Sequence, residues 1–208
     1  MGGRAGGGAS AGMGSGSRGN GGYSSRRAKE LADKYLSDFK NPELKKALAE
    51  GLAEFDKEFG IPAKVTVTAK ALDASTYGQI WTHSGRIEIN TKYETGGFDI
   101  KHAKHTMIHE LAHSIDGSLV KDVSYKNGRI VKTVKEQFKK DYAQLGKAFS
   151  SFKKGYWHGE TSAKQIGSYA LTDRHEFFAD AVASHMTGTQ NSHTTFAFNM
   201  AKKFTGKL

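Results

Sequence analysis

His109-Glu110-Leu111-Ala112-His113 is an H-E-x-x-H. On a helix, residues four apart share a face, so both imidazoles can reach one ion. Zn²⁺ accepts such nitrogens at about 2.0–2.1 Å. Glu110 is turned about 100° away from His109. It points beside the ion, where a general base for an activated water belongs. A solvated His/Glu helix face would show the same five residues, so a third ligand decides between the two readings.

The element that must carry the motif is a helix on independent grounds. Asp99 suits an N-cap and Gly117 a C′ position. Ile100, Ala103, Met107, Ile108, Leu111, Ala112 and Ile115 form an apolar arc at helical spacing. His102, His105, His109, His113 and Asp116 lie on the opposite arc. His105, one turn before His109, borders the predicted cleft.

The 208-residue chain has no Cys, which rules out disulfides and thiolate ligands. A zinc site here must use His, Asp or Glu. A second helix, Leu171 to Gly188, offers the third ligand. Thr172 or Asp173 can cap it, and Phe177, Phe178, Ala181, Val182 and Met186 form its apolar face. Glu176 and Asp180 lie four apart on another face, flanked by Ala179 and Ala183, which permit close helix approach. Glu176 with His109 and His113 makes three protein ligands and leaves a position for water. Asp180 can accept the free ring N–H of a liganding His, most simply His109. Glu176 also fits the N3 position of a capping box, and His158, Glu160 and His175 are alternative ligands.

Tyr169 precedes Glu176 by seven residues, and Glu176-Phe177-Phe178-Ala179-Asp180 follows an E-x-F-A-[ED] pattern. Together with the H-E-x-x-H and Ser114-Ile115-Asp116, this resembles the catalytic core of zincin metallopeptidases of the gluzincin type. Within them it is most similar to the anthrax lethal-factor-like group, which includes phage-associated zincin domains. The resemblance runs from about Tyr77 to Gly188. It implies an α+β zincin-like fold: a small mixed or antiparallel sheet on the active-site helix, with a further C-terminal helical subdomain. It implies His109, His113 and Glu176 as zinc ligands, Glu110 as general base and Tyr169 as oxyanion donor in a zinc-dependent endopeptidase. Asp180 stands where that group often has Glu.

The remaining chain supplies supports. Residues 1–25 are Gly/Ser-rich and nearly without apolar side chains, which predicts a disordered arm. Arg4, Arg18, Arg26 and Arg27 make it basic, allowing weak nucleic-acid contact. Residues 26–208 read as one domain: a helical part at 26–60, a catalytic core at 61–190 and a helix at 194–205. Two helices fill the first part, the second starting at Asn41-Pro42 and ending before Gly60. Strands are expected at Val65–Thr68, Gln79–His83 and Arg86–Asn90, the last two joined through Ser84-Gly85. In the third strand Ile87 and Ile89 alternate with Arg86, Glu88 and Asn90, predicting one buried and one open polar face. Its edge is the expected binding strand for an extended polypeptide substrate. A polar connection at Ser118–Arg129, a helix at Val131–Phe149 and an irregular stretch at Ser150–Gly167 complete the reading.

Net charge is +10 and the pI about 9.6. The lysines are dispersed in doublets such as Lys139-Lys140 and Lys153-Lys154, the pattern of solvated helix faces. No apolar run approaches a membrane span and no signal h-region is visible, so a cytoplasmic or virion-associated location is expected. Two other functions share these residues: a basic nucleic-acid or assembly-binding module with a structural zinc, and a zinc hydrolase of a non-protein amide.

Overall fold

Asn41 and Pro42 start a helix as their types require. The Asn41 side chain accepts from the Glu43 and Leu44 N–H groups, and Pro42 takes the first helical position. This is α2 (Pro42–Phe59), closed by Gly60 at φ +78°. It is preceded by α1 (Arg26–Tyr35), where Ser25 Oγ caps Ala28 N–H. A computed structural model supplies these coordinates and describes residues 23–126 and 129–207. The expected arm therefore lies almost wholly outside the described residues.

Three strands follow: β1 (Thr66–Lys70), β2 (Gly78–Trp81) and β3 (Arg86–Asn90), in the order β1-β3-β2. β1 pairs with β3 in parallel, Val67 opposite Ile87. β2 pairs with it antiparallel, Ile80 opposite Ile87. The fold is α+β, a small mixed sheet beside a helical body, as the sequence implies.

Two expectations for Arg86–Asn90 are corrected. β3 is the central strand, paired on both edges, so no peptide can add to it; the outer strands are β1 and β2, and β2 is the one that borders the cleft. Nor does it have an open polar face, because Glu88 and Asn90 are buried with Ile87 and Ile89. Glu88 accepts from Gln79 Nε2 at 2.6 Å, Lys70 Nζ at 3.0 Å and Trp81 Nε1 at 3.3 Å, and pairs with Arg86. Asn90 Nδ2 donates to the Asp73 and Thr76 carbonyls. These bonds satisfy the polar groups that burial would otherwise penalise.

Burial pushes the Glu88 carboxyl up, but its hydrogen bonds to Gln79, Lys70 and Trp81 prevail and hold it at about 2. A depressed carboxylate contributes stability above its unfolded value of about 4.5. That contribution disappears as pH falls through 2. Thermal melts of wild type and Glu88→Gln should therefore differ most at pH 6, with wild type the more stable, and converge between pH 4.5 and 2. A pH-independent gap would remove Glu88 ionisation as its cause.

Asp99 caps a 3-10 turn, Ile100–His102, that runs into α3 (Ala103–Leu119). The apolar arc of α3 is buried as expected, Ala103, Met107, Ile108, Leu111 and Ala112 completely. Gly117 does not end the helix as expected. It lies inside it, where a Cβ would sit 2.9 Å from Thr82 Cβ; its value is the close approach to the end of β2. Gly51 of α2 does the same on another side of α3, facing Lys104 O at 3.0 Å and Met107 Cβ at 3.2 Å.

The connection after α3 is a hairpin, not a loop. β4 (Val120–Lys126) and β5 (Arg129–Val134) pair antiparallel. Ile130, Val131, Thr133 and Val134 are all β-branched, which favours a strand over the helix expected there. Asn127-Gly128 lies outside the described residues. The next helix, α4 (Lys139–Trp157), begins later and runs further than expected, so part of the predicted irregular stretch is helical. Then come the short α5 (Thr161–Lys164), α6 (Arg174–Met186) and α7 (Ser192–Phe204). Asn191 and Thr194 form a capping box at the start of α7. The buried side chains of α2, α3, α6 and the sheet share one core. Among the described residues no helix is long and apolar enough to cross a membrane.

Candidate active site

α3 and α6 pack side by side, and this brings the two halves of the sequence pattern together. His109 Nε2 and His113 Nε2 lie 3.0 Å apart. Glu176 Oε2 is 3.2 Å from the first and 3.3 Å from the second. Asp173 caps α6 by accepting from the His175 and Glu176 N–H groups. Glu176 therefore enters the first turn with its carboxylate turned to the histidines, and it makes no capping box.

The donor set fits a metal ion. Two ring nitrogens facing each other can share only one proton, and Glu176 Oε2, buried, has no hydrogen-bond donor of proper geometry. Three lone-pair atoms thus converge on one point. Four ligands at 2.0–2.1 Å in a tetrahedron lie about 3.3 Å from one another, close to the three separations found. Among the described residues this is the one group of His, Asp or Glu with three ligand atoms near enough for a single ion. The other candidates are elsewhere. His175 Nδ1 donates to Asp116, His158 ends α4, and Glu160 lies over Gly155.

His109 Nδ1 donates to Asp180 Oδ1 at 2.8 Å. Both residues are buried. Burial pulls the His109 imidazolium down, but the hydrogen bond to Asp180 and the adjacent Glu176 carboxylate outweigh it and lift it to about 10. Glu176 moves the other way. Burial would raise it, but the His109 and His113 imidazoles 3.2–3.3 Å away hold it well below the usual carboxylate range.

Glu110 is buried, which pushes its carboxyl up. Above it passes Gly78 of β2. A Cβ there would sit 3.3 Å from Glu110 Oε1 and 3.0 Å from Thr106 Cγ2, so glycine lets the edge strand run over the carboxylate. Tyr169 stands in a 3-10 turn just before α6, 60% exposed, its ring 6.0 Å from that of His109. Burial and then the carboxylates of Glu176, Glu110 and Asp180 push its phenol up to about 12, so it remains a donor.

A cavity of about 510 Å³ runs along Gly78, Gln79 and Ile80 to the histidines, Glu110, Tyr169 and Glu176. A second lobe of about 550 Å³ opens on the other side and shares Gly78, His109, Glu110 and Tyr169 with it. His105 borders this lobe and takes no place in the cluster. Sequence reasoning missed the β2 edge, Gly78 and the Asp116–His175 pair. Only the H-E-x-x-H-x-x-D spacing hinted at the last of these.

No curated protein and no solved structure matches the chain. Residues 55–194 match the family model described as glucose-regulated metallo-peptidase M90. That match supports a zincin-type metallopeptidase and does not extend to the lethal-factor-like, phage-associated subgroup. It spans most of the chain, including α3, Tyr169 and α6, and so the chain belongs to the M90 metallopeptidase family.

Proposed function

We propose that this metallopeptidase is a zinc-dependent endopeptidase whose ligands are His109, His113 and Glu176. The observation that carries the reading is the convergence of two imidazole nitrogens and an unprotonated carboxylate oxygen, 3.0–3.3 Å apart. When bound, zinc supplies Lewis acidity, lowering the pKa of a water to about 7 and polarising a carbonyl.

The chain's own residues do the rest. The free edge of β2, Gly78–Trp81, binds the substrate backbone as an added strand. Lobes on both sides of Glu110 and Tyr169 let the peptide continue past the scissile bond, which supports internal cleavage. Glu110 takes the proton of the attacking water and delivers it to the leaving amine. Its burial raises its basicity for that task. Tyr169 donates its O–H to the oxygen that becomes negative. Asp180 fixes the His109 tautomer by accepting from Nδ1–H, leaving Nε2 with its lone pair on the cluster side.

Asp180→Asn should weaken zinc binding by about 10–100-fold, because a neutral acceptor no longer raises the basicity of His109. Calorimetric titration with zinc measures it, and an unchanged affinity would take Asp180 out of the ligand support. The function itself is tested with a diverse library of peptides blocked at both ends, with products read by mass spectrometry. Zinc-loaded protein should cut inside the blocked peptides, and chelated protein should not. Absence of internal cuts by the loaded protein would overturn the endopeptidase reading.

A further inference from the structure

The solvent face of α4 is densely cationic. Lys139, Lys140, Lys147, Lys153 and Lys154 are all exposed on it, and no exposed position of this 19-residue helix carries an acid. Its only acidic residue, Asp141, is buried and bonded to Lys203. Glu136, just before the helix, pairs with Lys139 alone. Among the described residues the other four ammonium groups make no ion pair; Lys153 rests over the Phe149 ring. The face is about 28 Å long at 1.5 Å per residue.

At its end stands Trp157, 72% exposed, the most exposed large apolar residue among those described. Its neighbour Tyr156 is covered by Lys164, 3.6 Å from the ring centroid. An exposed indole at the end of a cationic track is complementary to a partner with regular negative charge and flat faces. The other exposed positions include Gln144 and Ser151, polar donors of the kind that contact phosphates. They hold no Leu, Ile or Phe of the kind an interfacial membrane helix inserts. None of these residues borders the catalytic cleft.

We propose that the α4 face binds single-stranded nucleic acid. The lysines track successive phosphates, and Trp157 stacks on an unpaired base. This surface is independent of the peptidase site.

The test uses the full chain and a labelled 20-nucleotide oligothymidylate, read by fluorescence anisotropy across a salt series. With about four to five phosphates neutralised, log K against log salt should have a slope of about −3. Joint replacement of Lys140, Lys147, Lys153 and Lys154 by Gln should bring the slope close to zero. Trp157→Ala should weaken binding at least about fivefold. Both variants should melt with wild type, since only exposed side chains change. The proposal is overturned if the lysine variant binds as wild type does, or if Arg4 and Arg18 replaced by Gln abolish binding while the α4 variants keep it. It is equally overturned if the wild type binds phosphatidylserine vesicles and leaves the oligonucleotide free.

Discussion

Glu110→Gln should bind zinc as the wild type does and cleave peptides about 10²–10⁴-fold more slowly, the range that positioned acid–base catalysis contributes. The two expectations separate because Glu110 stands outside the three residues close enough together to hold one ion, His109, His113 and Glu176. The amide fills the same space under Gly78, so the edge strand need not move. What it lacks is a lone pair basic enough to take a proton. Stability should move in the opposite direction from activity. Burial already penalises the Glu110 carboxylate, and a neutral amide removes that penalty. A melt showing Glu110→Gln at least as stable as wild type, with zinc content intact and kcat collapsed, would fix Glu110 as the base. Retained kcat at full zinc content would assign the proton transfer to another group.

The parts of this molecule legible in its sequence are those built from local rules. α3 and α6 follow from caps and 3.6-residue periodicity, and four-residue spacing alone puts His109 over His113 and Glu176 over Asp180. Their convergence needed only that two helices with small residues pack together. What the sequence hid was tertiary. Glu88 and Asn90 read as solvent-facing by alternation, yet their partners come from β1, β2 and the loop before β2. Which strand is the edge depends on the parallel pairing of β1 with β3, a non-local fact that hairpin signals cannot carry. Gly117 read as a helix end and Gly78 carried no signal, and the purpose of both is visible only through the atoms a Cβ would meet. The β4–β5 hairpin was obscured because the polar residues of β4 resemble a loop and β5 was read into the start of the next helix.

Tyr169→Phe should lower kcat by about 10²–10³ and leave KM nearly unchanged, the loss typical of one oxyanion donor. Three physical features suit the hydroxyl to act as a donor. Its phenol is pushed up to about 12, so it keeps its proton throughout the working range. Its ring lies 6.0 Å from that of His109, and it borders both lobes, at the point where the scissile bond must cross. It is also mostly solvent-exposed, so removing the oxygen leaves no buried group unpaired and should cost little stability. A donor used only as charge develops affects the transition state and not ground-state binding. Raised KM with intact kcat would instead make Tyr169 a wall of the substrate cleft. Because the raised phenol value follows after burial from Glu176, Glu110 and Asp180, Glu110→Gln should also lower it. A spectroscopic titration of Tyr169 in that variant, against wild type and Tyr169→Phe, would show whether base and donor share one electrostatic site.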